Sequence, residues 1–426
     1  GGTQDNGTIL IDPKTGLPKA GERTVGITQN SGLVVDGDGG YTEISKLDPE
    51  VRFKAMQYGR LGRSINTGDE YSYFYSNRMA GRYNAFSFAF ADFVTPFALW
   101  EKLDDPNSTD SVFFSADTIN LSIGFGNGNT RYTGQYTKPQ ASTKFIASTF
   151  RAVAGGQILT SDASGNLSGD GTGTFDAVTG QFTLEFASPT SLEIRTSVGT
   201  EYDPGAVIVV ESETGELPIT HTLSNGLASG DTAFIQDPVQ AMFAVGLTSY
   251  NNASQPGNKG GGIWMCRNVL SDRTQTPEWW HIGALNDEEV PSSMAFSHDG
   301  DALYVGTNSG RVYRFQNLTN ARSEETADID IDYLQNPPAP SQAVVDAKVI
   351  LTASRTITGI AVDTEDPDRL IVTAGGYGGT SPHIYYTEQA TSASLTSSGF
   401  IGKDGDMPNV PVYDAVFNYN DATGGQ

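Results

Sequence analysis

Oxygen-bearing side chains at alternate positions are the first chemistry legible in this chain. The stretch Asp162-Ala163-Ser164-Gly165-Asn166-Leu167-Ser168-Gly169-Asp170 offers Asp162, Ser164, Asn166 and Asp170 from one Gly-rich acidic loop. Hard cations such as calcium take oxygen ligands from loops of this kind. The loop lacks the Gly at the sixth place and the Glu at the twelfth that an EF-hand requires, so a solvated Gly/Ser turn is the plainer alternative. Similar acidic turns occur at Asp36 with Asp38, and at Asp363, Glu365, Asp366 and Asp368. Asp38, flanked by glycines at the entrance of a strand, is the best candidate for a catalytic carboxylate, against the ordinary turn-capping role of Asp. Glycoside hydrolysis needs two carboxylates about 5–9.5 Å apart. With 50 acidic residues in the chain, the availability of a second one decides nothing.

The four histidines, His221, His281, His298 and His383, show neither the His-x-His nor the His-x-x-x-His spacing of a metal pair. Cys266, in Ile263-Trp264-Met265-Cys266, reads as a small buried hydrophobe rather than a nucleophile. Aromatics that could stack on sugar rings stand at 71–75, at Trp279-Trp280 and at Tyr377. Interior packing competes for most of them.

Positioning any of these groups falls to β-strands. Runs that alternate apolar and polar residues recur, each closed by a tight Asp-Pro or Asp-Gly turn: Ser293–Phe296, Asp299-Gly300, Ala302–Thr307 and Arg311–Phe315 in one copy; Thr358–Val362, Asp366-Pro367, Arg369–Ala374 and His383–Tyr386 in another. Three more copies align on Asp48-Pro49, Asp105-Pro106 and Asp237-Pro238. The turns at 49, 106, 238, 300 and 367 are then spaced by 57, 132, 62 and 67 residues. All but one interval fits a single repeat, and the long one implies an insertion between 106 and 238. Four-stranded units of this length are what β-propeller blades look like. The expected fold is therefore all-β: a β-propeller of about six or more four-stranded blades, with a small β-sandwich inserted in an outer hairpin. Residues 1–116 and 204–426 carry the blades and 117–203 the insert, with the blade resuming at Ala206–Val210 and an inner strand expected at 412–418.

Composition narrows the function classes. The 426 residues carry 26 Lys+Arg against 50 Asp+Glu, a net charge of −24, which repels phosphate backbones and anionic lipids and argues against nucleic-acid partners. No apolar run reaches the roughly 18 residues of a membrane-spanning helix, so membrane insertion is not expected. A single cysteine excludes an internal disulfide. The Gly1-Gly2 start and the strand-like end at 411–417 read as a processed or trimmed piece of a longer chain.

Gly1-Gly2-Thr3-Gln4-Asp5-Asn6-Gly7, the turn Gly37-Asp38-Gly39-Gly40 and the hairpin Ser64-Ile65-Asn66-Thr67-Gly68 resemble segments of the Asp-box (BNR-repeat) propellers of the sortilin/VPS10-like superfamily. Ser64, Asn66 and Gly68 stand where that family's S-x-D-x-G box falls, with Asn66 in place of the Asp and Tyr71 or Phe74 in place of the Trp. The resemblance covers 1–116 and 204–426. It implies a large secreted or cell-surface protein of the kind found in Bacteroidota, exported by a type IX-like route in a Gram-negative bacterium. The expected role is a non-catalytic structural or binding module, with protein partners, self-association or glycans as its contacts and calcium as the candidate cofactor. The competing reading is an Asp-box glycoside hydrolase. A sialidase is disfavoured, because the arginines follow no substrate-binding motif.

Overall fold

A computed structural model describes residues 2–3, 7–8, 27–28, 34–35, 39–66, 72–73, 92–215, 217–247, 262–267, 269–270, 277–283, 285–286, 289–322 and 344–418. The described residues are almost wholly strand and turn, and they divide into two compact units, one formed by 1–105 with 239–426 and the other by 106–238.

The first unit holds four antiparallel sheets of four strands, each a meander in chain order. The first runs Gly39–Ile44, Arg52–Met56, Arg60–Ser64 and Ser72–Tyr73, and the second Phe97–Lys102, Gln240–Leu247, Gly262–Cys266 and Trp280–Gly283. The third runs Pro291–Phe296, Ala302–Thr307, Arg311–Gln316 and Asp346–Thr352, and the fourth Ile357–Val362, Leu370–Ala374, Ile384–Thr387 and Ile401–Gly402. Gln240–Leu247 and Ala302–Thr307 are buried along their whole length, which a strand achieves only when both faces of its sheet are covered. Three apolar clusters do the covering, and each lies between successive sheets. Phe53 and Leu61 meet Phe97 and Phe243; Met242 and Met265 meet Leu303 and Phe315; Tyr304 and Ile350 meet Ile360 and Val372.

The first turn of each meander follows from its sequence. Ser45, Ser297 and Asp363 directly follow the first strand, are buried, and donate their own N–H across the turn to Val51, Ala302 and Arg369. In the third sheet Gly300 takes φ +77°, and a Cβ there would come within 2.6 Å of the Trp100 ring, so glycine is required twice over. The second sheet has no such turn. Its first strand pairs with its second, Lys102 opposite Gln240, and the chain between them is the whole second unit. Asp105-Pro106 and Asp237-Pro238 are thus the two lips of one opened turn, and the aligned turns mark four sheets where the spacing suggests five copies. The insertion sits in the first connection of its sheet, not in an outer hairpin.

The second unit is also wider than 117–203. Val207–Glu211 pairs with Pro218–Thr222 as a separate hairpin here, instead of resuming a meander, and Ser111–Ser115 pairs with Thr232–Gln236 beside the lips. Its main sheet is one hydrogen-bonded path of eight strands: Thr118–Phe125, Glu193–Glu201, Arg151–Ala154, Gln157–Ser161, Asn166–Gly169, Gly171–Phe175, Gln181–Phe186 and Arg131–Gln135. Lys144–Phe145 adds to Glu193–Glu201. One core, with Tyr136, Phe150, Phe175, Phe182 and Leu184, lies inside. A single sheet that buries one face in a single cluster has curled round it, so the unit is barrel-like where a two-sheet sandwich is expected from sequence. At the other end of the chain, 411–418 belongs to no sheet among the described residues; it runs extended, with Val412 N–H donating to Ala374 O at 3.3 Å.

Candidate functional site

The acidic stretch 162–170 spans the tight turn at 162–165, the strand Asn166–Gly169 and the residue after it in the barrel-like sheet. Asp162 accepts from the N–H of Ser164 at 2.8 Å, the N–H of Asn166 at 3.0 Å and the Asn166 side-chain amide at 3.2 Å. Those donors, the Asn166 backbone N–H foremost, hold its carboxyl below the ordinary value. Asp170 faces elsewhere, accepting from Ile158 N–H at 2.9 Å. The structure therefore brings Asp162, Ser164 and Asn166 together as a self-capped Asx turn and leaves Asp170 out of it. Among the described residues no group of three or more His, Cys, Asp or Glu converges as a metal site would.

The turn after the third strand of the first sheet carries Ser64 and Asn66, with Ser64 Oγ donating to Asn66 Oδ1 at 2.9 Å. Asp36, Asp38, Gly68, Tyr71 and Phe74 lie outside the described residues. The acidic turn of the fourth sheet spends its carboxylates locally: Asp363 accepts from Glu365 N–H and forms an ion pair with Arg369 at 2.9 Å, Asp366 accepts from Asp368 N–H, and Asp368 from Thr391 N–H.

The least anticipated groups are arginines that join one sheet to the next. On the first sheet Arg63 donates to Val269 O at 2.8 Å. At the end of the third strand of the second sheet, Arg267 donates to Leu318 O at 2.6 Å and Ala321 O at 2.9 Å. On the third sheet Arg314 donates to Ala390 O at 2.5 Å and Ser392 O at 2.9 Å. Every acceptor lies just past the third strand of the following sheet, so one device recurs three times. Burial pushes the Arg267 guanidinium down to about 10, still far above neutrality, and the joint stays charged. Arg-Ser, Cys-Arg and Tyr-Arg-Phe, each at a third-strand position, are the only sequence trace of it.

A second buried polar cluster ties the approach to the third sheet. Glu289, 3% exposed, accepts from Ser309, Arg311 and Tyr313. Burial alone would raise its carboxyl, but the three donors outweigh it and hold the group below the ordinary range. Nothing in the spacing of these residues announces the cluster.

Of the remaining candidates, Cys266, Trp279 and Trp280 are buried in the apolar clusters between sheets, and burial raises the Cys266 thiol far from reactivity. Tyr377 is exposed on the Gly375–Gly379 loop. The second unit shows the clearest surface feature: Phe113 and Phe234 are directly opposed across their two-stranded ribbon and are 72% and 78% exposed, while Val112 and Ile235 on the other face are buried. No protein-family model matches the chain, and no curated protein matches it.

Proposed function

We propose that this chain is a non-catalytic binding or structural module of a secreted or cell-surface protein, with its four meanders serving as blades of an Asp-box type β-propeller and its barrel-like insert as the contact-making unit. The observation that carries the reading is the Phe113–Phe234 pair, two large apolar side chains held side by side and open to solvent, the kind of surface that protein partners cover. The stacking of sheets in chain order, each packed face to face on the next, supports the blade assignment. The carboxylates of the described turns are spent on turn N–H groups and arginines, which favours scaffolding over acid–base chemistry. A charge of −24 means that contacts between copies need screening or a cation.

Sedimentation velocity of the whole chain, with calcium or chelator and at low and high salt, tests this. Self-association that strengthens with salt or calcium, and is lost in Phe113→Ser/Phe234→Ser, is the expected result. Hydrolysis of a polysaccharide by the purified chain, abolished by Asp38→Asn, would replace this reading with the glycosidase.

A further inference from the structure

We propose that the His383 imidazole is a proton-dependent latch that fastens the 404–418 segment to the fourth sheet. His383 directly precedes the strand Ile384–Thr387 and is 2% exposed. Its Nδ1 lies 3.0 Å from Ala374 O, and its Nε2 lies 2.8 Å from Asn409 Oδ1. The orientation of the Asn409 amide is set from its other side, where Nδ2 donates to Gly379 O at 2.8 Å. Arg355 Nη2, 3.5 Å from Oδ1, agrees with it. Turning the amide over would set its oxygen against the Gly379 carbonyl and its NH2 toward the guanidinium.

Both ring nitrogens thus face atoms that can only accept. A neutral imidazole carries one N–H, so either tautomer leaves a lone pair against an oxygen, and only the imidazolium satisfies both contacts. One of those contacts is the segment itself, through Asn409. The other, Ala374 O, is shared with Val412 N–H. The same stretch is held by Asp404, whose carboxylate accepts from the N–H of His383 at 2.9 Å and of Ile384 at 2.8 Å, and by Thr358, whose hydroxyl donates to Val412 O.

Beyond the latch the segment crosses the first strand of the fourth sheet at Gly359, where a Cβ would come within 2.9 Å of Tyr413 O. Asp414 also adds to burial in raising the Tyr41 hydroxyl on the first sheet. The latch therefore holds a strap that lies across the first strand of the fourth sheet. The charged and titratable groups that meet this joint are Asp404 on the strap, which accepts from the His383 N–H, Arg355 on the link before the fourth sheet, which reaches Asn409 Oδ1, and Tyr385 on the strand that His383 precedes, which Arg355 and Asp404 both influence. The fastened state has a place for two ring protons, so fastening weakens when the ring gives one of them up.

The test uses the whole chain. Nitrogen-15 spectra of the histidine side chains, assigned by difference against His383→Gln, report which ring nitrogens carry protons. Hydrogen exchange over 404–418, corrected for the intrinsic effect of pH, reports fastening. Expected at the acid end are two protonated nitrogens on His383. Exchange in the strap should speed up by about 2-fold to 10-fold at the alkaline end, the worth of one net hydrogen bond. Asn409→Leu, at an exposed position that leaves the fold intact, should exchange fast at both ends. A single neutral tautomer across the range, or the wild-type pH response persisting in Asn409→Leu, would overturn the proposal.

Discussion

The two units solve the same problem, covering β-sheets, by different means. In the meander unit every sheet is covered by its neighbours, so the core is split into three clusters and the seams between sheets carry buried polar joints: Arg63, Arg267 and Arg314 on backbone carbonyls. The inserted unit curls one sheet round one core, where Phe150 stacks on Phe175 at 4.7 Å and meets Phe182 at 5.3 Å. A repeat that meets only its neighbours can use a directional joint to fix how one sheet seats on the next. A single curled core rests mainly on shape and apolar area, with Tyr136 Oη donating to Thr196 Oγ1 at 2.6 Å as its buried polar contact.

That contrast can be broken from either side. The largest effect is expected in the insert: Phe150→Ala removes the centre of its aromatic core and should cost about 3–5 kcal/mol. Calorimetry should show one of two transitions lowered and the other unmoved; a shift of both would mean the units do not melt separately. Next comes Arg314→Ala, which takes the guanidinium from the Ala390 carbonyl, leaves the Ser392 carbonyl with Leu395 N–H alone, and opens a hole between the third and fourth sheets. A loss of about 2–4 kcal/mol confined to the other transition is expected.

Glu289→Gln should cost less, about 1–3 kcal/mol, since Arg311 is partly solvated. It also carries a pH signature. The folded carboxyl is held low, so its contribution is complete at neutral pH and is lost as pH falls through the folded value. Urea midpoints followed from neutral pH into acid should fall less steeply in Glu289→Gln than in the wild type, and parallel curves would contradict the assignment. The smallest effect concerns the 162–166 turn. Its carboxylate is already supplied with donors, so calcium should leave the insert's melting temperature unchanged; a calcium-dependent rise that Asp162→Asn removes would make the turn a cation site.

Strand and turn chemistry were legible in the chain itself. Alternation and the Asp-Pro or Asp-Gly turns at 48–49, 299–300 and 366–367 mark real first connections, because a two-strand meander is decided by residues that are neighbours in sequence. Asp105-Pro106 and Asp237-Pro238 carry the same local signal, yet they flank one turn and not two. Only the pairing of Lys102 with Gln240, across the whole insert, decides that. The arginine joints, the Glu289 cluster and the His383 contacts were hidden for the same reason. Apart from His383 on Ala374 O, nine positions away, each links residues 20 or more positions apart, and the arginine joints end on backbone carbonyls that every residue carries, so no side-chain spacing records them. Local pattern determined which segments are strands; which strand meets which, and which buried charge finds a partner, was decided when the sheets stacked.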